Sequence, residues 1–189
     1  MPLVTPALTG TITTSLLASG MLGTATPKFA SGVSLGLTTW AHQLVVTTVD
    51  VGVVGVGKGF IPFLIPTPML LAALLASYAA NGQLGVMAPL EATGLATGMS
   101  LGLAQGALVT THPTVGTGAG VAKISGPPAF SPLMQGFSSV GITGSGAAAK
   151  ANAISSALMF VLQTLVLPIP IVGPGSITPS SGSGSGNIL

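Results

Sequence analysis

A short Gly-x-x-Gly turn occurs three times at nearly regular spacing, and this repetition constrains the fold more than any other feature of the chain. The turns run from Gly20 to Gly23 in ASGMLG, from Gly82 to Gly85 in ANGQLG and from Gly141 to Gly144 in SVGITG. Their first glycines are 62 and 59 residues apart. Self-similarity at a nearly fixed period is typical of repeat proteins, so the sequence predicts three copies of one supersecondary unit.

Each unit has the same order of predicted elements. An apolar helix ends at the first glycine of the turn, and a longer second helix follows, opened in two units by Pro27 and Pro89. A β-branched run then leads into a glycine-alternating segment such as GVGKG or GTGAG. We therefore predict an α+β fold of three internal repeats, each a helix-turn-helix followed by an extended strand or arm, with helix predominant.

The three predicted units cover residues 1–68, 69–130 and 131–189, and the last includes a Gly/Ser-rich C-terminal arm. The third unit has alanine where the others have helix glycines, and its arm contains three prolines. These departures favour a terminal unit that caps a stack of repeats, while the sequence alone leaves open a pseudo-threefold arrangement of the three units.

The second helices carry small residues at every fourth position. The predicted helix-packing positions are Gly32, Gly36, Gly94, Gly98, Gly102, Gly106, Ala153 and Ala157. A glycine inside a helix costs about 1 kcal/mol relative to alanine, and close approach of another backbone is the usual compensation. We expect these ridges of small residues to contact neighbouring helices.

Two of the few charged residues, Glu91 and Lys150, occupy equivalent positions near the starts of their helices. They can pair if the units are arranged with approximate symmetry. The simpler expectation is that each lies at a solvated helix end.

Residues 52–58 match the G-x-x-x-x-G-K spacing of a phosphate-binding loop. Position 59 is glycine, however, where a Ser or Thr hydroxyl should reach the metal ion, and Pro62 and Pro66 stand where a helix should begin. The corresponding segments of the other units keep the glycines and lose the lysine. This pattern indicates a shared backbone conformation and weighs against a nucleotide site.

The chain has few residues of the types that catalyse reactions. The chain has two histidines, two acids and no cysteine, and no acid is placed by sequence to orient His42 or His112. A pair between Asp50 and one histidine is possible, but a metal site needs three or four ligands at suitable spacing. We predict no enzymatic activity and no catalytic, cofactor-binding or metal-binding residues.

The chain has only four lysines, two acids and no arginine among 189 residues, with a mean hydropathy of +0.85. A soluble domain has roughly a quarter charged residues. Such a chain must lie in lipid or be covered by other protein. Four scattered lysines provide no basic stripe, so we expect no direct contact with nucleic acid, and we expect no small-molecule substrate.

The alternative hypothesis is a small integral membrane protein that forms an oligomeric pore or scaffold. Charge-free runs over residues 59–90 and 151–189 are long enough to cross a bilayer. The first helices are too short to span, however, and prolines interrupt the longest run. Lipid would also leave the backbone groups of the glycine-rich arms and extended runs without hydrogen-bond partners.

The unit LLASGMLG…PKFASGVSLGL, followed by VVTTVDVGVVGVGKG, resembles small, glycine-rich, charge-poor structural proteins of tailed bacteriophages with contractile tails. The resemblance covers most of the chain through the three units. It implies a non-enzymatic virion protein of the tail or baseplate, in contact with other virion proteins and with copies of itself. It supplies no functional residues.

Overall fold

The computed structural model describes the backbone of residues 5–41, 45–50, 56–60, 67–104, 107–111, 117–125, 130–164, 169–174 and 182–187, and the side chains of residues 5–41, 68–102 and 130–159. The helices of this described part are α1 (Thr5–Ala18), α2 (Ala25–Ala41), α3 (Thr67–Ala80), α4 (Met87–Ala104), α5 (Phe130–Ser139) and α6 (Ser145–Thr164). Each Gly-x-x-Gly turn therefore joins two helices of one unit.

Two strands follow each pair of helices. They are β1 (Val45–Asp50), β2 (Val56–Phe60), β3 (Ala107–Thr111), β4 (Thr117–Ser125), β5 (Ile169–Pro174) and β6 (Gly182–Asn187). They pair antiparallel in chain order, and β6 also pairs with β1, so the sheet closes on itself.

The prediction of an α+β fold with an extended strand arm after each helix pair is wrong. Among the residues whose side chains the structure describes, 83% are helical and none lies in a strand. The glycine-alternating segments also do not extend as separate arms, since their described backbone pairs within the chain. Backbone N–H and C=O groups need such partners, and a free arm would leave them unpaired.

The three turns share one hydrogen-bond geometry. Gly20, Gly82 and Gly141 have φ of +79°, +71° and +81°, the left-handed conformation that glycine adopts without a steric penalty. In the first turn, the Met21 N–H donates to the Leu16 carbonyl at 3.0 Å and the Gly20 N–H donates to the Leu17 carbonyl at 3.0 Å. The other two turns repeat both bonds. Each first helix thus ends in a Schellman motif, which fixes the direction of the second helix.

The second glycine of each turn accepts a backbone hydrogen bond from the start of the next helix. The carbonyls of Gly23 and Gly85 accept from the N–H groups three residues later, and the carbonyl of Gly144 accepts from the Ala148 N–H. Gly144 also has a positive φ of 91°. The second helices therefore start within a few residues of the ends of the first.

The helix pairs form a closed ring. Within each unit the two helices pack together, α2 packs on α3, α4 packs on α5, and α6 packs on α1. The third unit therefore does not cap a linear stack, because it contacts both of the others. The units are related by an approximate threefold axis.

The core of the ring consists of large apolar side chains from both helices of every unit. The first helices contribute Leu8, Ile12, Leu16, Leu70, Leu74, Tyr78, Leu133 and Phe137, and the second helices contribute Val33, Leu37, Leu95, Met99, Ile154 and Leu158. Every one of them is at most 5% exposed. This shared core holds the turns together at one end of the ring.

Candidate functional site at the turn end of the helix ring

The small residues of α2 face large side chains of the next unit. A Cβ atom added at Gly32 would lie 2.7 Å from Tyr78 Cδ1, and one at Gly36 would lie 3.0 Å from the Leu74 Cα. These distances leave no room for a side chain. The close packing of α2 on α3 thus offsets the low helix propensity of the two glycines.

The second interface repeats this arrangement more tightly. A Cβ at Gly94 would lie 2.9 Å from Phe137 Cδ1, and one at Gly98 would lie 2.7 Å from the Leu133 Cα. A Cβ at Gly136 of α5 would lie only 2.2 Å from the Gly94 carbonyl oxygen and 2.4 Å from the Gly98 nitrogen. Sequence analysis missed Gly136, although its place five residues before Gly141 matches that of Ser77 before Gly82.

The third interface uses alanine. Ala153 and Ala157 of α6 are fully buried, and α6 packs on α1. Gly102 is also buried in α4, while Gly106 lies outside the described residues. The predicted helix-packing residues that can be described therefore lie in the helices through which units meet.

Three side chains from equivalent positions of the repeats meet near the threefold axis, and we call them the axial cluster: Phe29, Glu91 and Lys150. The Lys150 ammonium donates a hydrogen bond to Glu91 Oε1 and lies 4.7 Å from the centre of the Phe29 ring. The Lys150 and Glu91 side chains are only 17% and 12% exposed. The expectation of two solvated helix ends is therefore wrong, because the charges face each other inside the ring.

Tyr78 lies beside the axial cluster and is buried. Its ring centre is 6.2 Å from that of Phe29, and its hydroxyl has no hydrogen-bond partner among the described residues. Burial and, to a lesser degree, the Glu91 carboxylate raise the pKa of the Tyr78 phenol far above its ordinary value. The phenol is thus held neutral.

A cavity of about 250 Å³ opens between the first two turns, and we call it the turn cavity. Its wall contains all three residues of the axial cluster together with Leu16, Met21, Ala25, Thr26, Gln83, Gly85, Met87 and Ala88. The Thr26 hydroxyl donates to the Met21 carbonyl at 2.8 Å and so fixes one side of the opening. The lining is mostly apolar, with one ion pair at its inner end.

Large apolar side chains project into solvent around this cavity, and we call them the turn face: Leu22, Leu84, Val86, Met87 and Leu90. Leu22 and Leu84 are both 79% exposed and Val86 is 89% exposed. They flank in sequence the residues that line the cavity. Exposed apolar side chains beside a cavity are typical of sites of interaction with other molecules.

The remaining sequence candidates do not join this site. Lys58 lies in β2, opposite Val109 of β3 and Val49 of β1, so it does not stand at the start of a helix as a phosphate-binding loop requires. His42 and His112 lie outside the described residues. Within the described part, no three metal-ligating side chains come together.

In the part of the chain that the structure describes, no helix combines the length and apolar character that crossing a bilayer requires.

The chain matches no protein-family model, no curated protein and no solved structure. The resemblance to bacteriophage structural proteins therefore stays a prediction from the repeat sequence.

Proposed function

We propose that this chain is a non-enzymatic structural subunit of a bacteriophage particle, located in the tail or baseplate and buried among neighbouring subunits. The observation that carries the proposal is the turn face. Its apolar side chains project into solvent, and removing such surface from water favours association with another protein. In a structural subunit, a neighbouring subunit covers these exposed side chains.

The charges of the chain support the same role. Of the charged side chains that the structure describes, Glu91 and Lys150 neutralise each other inside the ring, and Lys28 alone is exposed. An interface built on this surface depends mainly on apolar contact, and Lys28 is the one exposed charge among the described side chains that can pair across it. We expect its stability to change little between low and high salt.

Co-sedimentation of the native protein on a density gradient tests the proposal, with and without a mild non-ionic detergent and with mass spectrometry of each fraction. A structural subunit stays in a dense, detergent-resistant particle beside other abundant proteins. If the protein instead floats with lipid and moves into a small complex in detergent, the proposal is wrong and the membrane alternative is favoured.

A further inference from the structure

We infer that the turn face binds a neighbouring protein that inserts an aromatic side chain into the turn cavity and places an acidic residue beside Lys28. This inference rests on the proposed function, to which it adds the surface and the chemistry of the partner.

The size of the turn cavity favours a single side chain. Its volume of about 250 Å³ is below the range of about 300–1,000 Å³ typical of small-molecule sites. An apolar cavity of about 150 Å³ is enough to hold benzene. The turn cavity therefore has room for a larger aromatic group such as indole.

The lining suits an aromatic occupant. Met21 and Met87 contribute thioether sulfurs, which make favourable contacts with aromatic rings. The Phe29 ring and the Leu16 side chain add apolar wall. Aromatic residues are the commonest anchors of protein interfaces because they fill such pockets with few rotatable bonds.

The surroundings of the cavity have the arrangement of a protein interface. An anchor pocket there is surrounded by contacts that exclude water. Leu22, Leu84 and Val86 are next in sequence to residues that line the cavity, and each is at least 79% exposed. A bound partner can therefore pack against them and exclude water. Burial of these side chains by the partner would seal the cavity.

The turn face carries one exposed positive charge, that of Lys28. Lys28 is exposed, and its ammonium lies 3.9 Å from the position that a Cβ on Gly82 would take, which places it at the second turn. Glu91 carries the single carboxylate among the described side chains, and it is already paired with Lys150. An acid on the partner therefore complements Lys28.

Methyl NMR of the intact protein tests the inference, with N-acetyltryptophanamide as the probe. We expect the Met21 and Met87 methyl resonances to shift and to saturate with a Kd of about 1 mM, in keeping with the small size of the fragment. The methyls of Met134 and Met159, which do not line the cavity, should not move. N-acetylalaninamide, which lacks the ring, should leave all four unchanged.

Two variants sharpen the test. Ala88→Phe fills the cavity and should weaken binding of the probe at least tenfold, whereas Ala72→Phe, at an exposed position of α3, should not. N-acetyl-aspartyl-tryptophanamide should bind several-fold more tightly than N-acetyltryptophanamide. Lys28→Ala should remove that difference.

The inference is overturned if the Met21 and Met87 resonances do not respond to the probe up to its solubility limit. It is also overturned if they respond to vesicles of phosphatidylcholine and phosphatidylglycerol and not to the tryptophan compounds, because the turn face then binds lipid. Either result, with the protein still in the dense particle on the gradient, contradicts the inference alone. Absence from the particle contradicts the proposed function.

Discussion

Gly136 lies where α4 and α5 approach each other so closely that no side chain fits between them. Its missing Cβ would clash with backbone atoms of Gly94 and Gly98, and backbone cannot move aside as a flexible side chain can. We expect Gly136→Ala to lower the free energy of unfolding by about 2 kcal/mol, although alanine is the better helix former. Urea denaturation of the purified protein measures the change.

Gly10→Ala is the matched control for this prediction. Gly10 also lies inside a helix, but a Cβ added there meets nothing within 4 Å. The substitution should raise the free energy of unfolding by up to about 1 kcal/mol. Equal effects of the two substitutions would contradict the close contact between α4 and α5.

The buried hydroxyl of Tyr78 meets no hydrogen-bond partner in the described part of the chain, and the equivalent residue of the third unit is Phe137. Burial of an unpaired hydroxyl is unfavourable, so we expect Tyr78→Phe to raise the free energy of unfolding by about 1 kcal/mol. A loss of stability of similar size would show that the hydroxyl has a partner.

The same phenol predicts how stability depends on pH. The pKa of Tyr78 in the folded protein lies above the ordinary value of 10.0, so the unfolded chain releases the proton first. Its contribution is therefore fully present below pH 10 and is lost as the pH rises above that value. Tyr78 is the single tyrosine of the chain, so phenolate absorbance should appear only on unfolding, and Tyr78→Phe should remove this part of the pH dependence.

At the scale of elements, the Schellman motif determines how each helix pair turns. Gly20 has a φ of +79° and open space around its Cα, so only backbone strain opposes a side chain there. We expect Gly20→Ala to cost about 1–2 kcal/mol and Gly20→Asn less, because asparagine tolerates the left-handed conformation better. Thermal unfolding of both variants tests this order, and equal stability of the two would contradict it.

The axial cluster joins the second helices of two units through Glu91 and Lys150. Removing one partner leaves a charge in a mostly buried position, so Lys150→Met and Glu91→Gln should each destabilise the fold. The double variant should recover much of the loss, with a coupling energy of about 1–3 kcal/mol from a double-mutant cycle. Additive effects would contradict a direct pairing.

At the scale of the whole molecule, closure of the ring makes each unit depend on both others. A chain truncated after residue 128 loses α5 and α6. This truncation exposes both the ridge of small residues on α4 and the large side chains of α1. We expect it to lose cooperative unfolding, whereas a linear repeat array would lose one interface and stay folded. Calorimetry distinguishes the two outcomes, and adding residues 129–189 as a separate chain should restore the transition.

The repetition of short patterns explains what the sequence could predict. The glycine spacing identified the turns, and the small residues at every fourth position of α2, α4 and α6 lie in the helices through which units meet. Local patterns of this kind depend on backbone geometry that each unit repeats. They do not show whether three units close into a ring, because closure depends on the packing angle between helices.

The predictions that were wrong depended on contacts between distant residues. Glycine-alternating segments were interpreted as arms because sequence does not show what their backbone groups pair with. Phe29 was missed because its chemistry differs from that of Glu91 and Lys150, although it occupies the same place in its repeat. The exposure of Leu22 and Val86 was also not predicted, because the sequence beside a turn does not show whether another element covers an apolar side chain.

The axial cluster has a consequence for how such a molecule can be assembled. Three separate identical units would bring three copies of one side chain to the axis: three carboxylates, three ammonium groups or three phenyl rings. The first two combinations repel, and none forms an ion pair. When the units are joined in one polypeptide, the same position can carry an anion in one unit, a cation in another and an aromatic ring in the third. Covalent linkage therefore permits an ion pair at the centre of the ring, which three identical units cannot form.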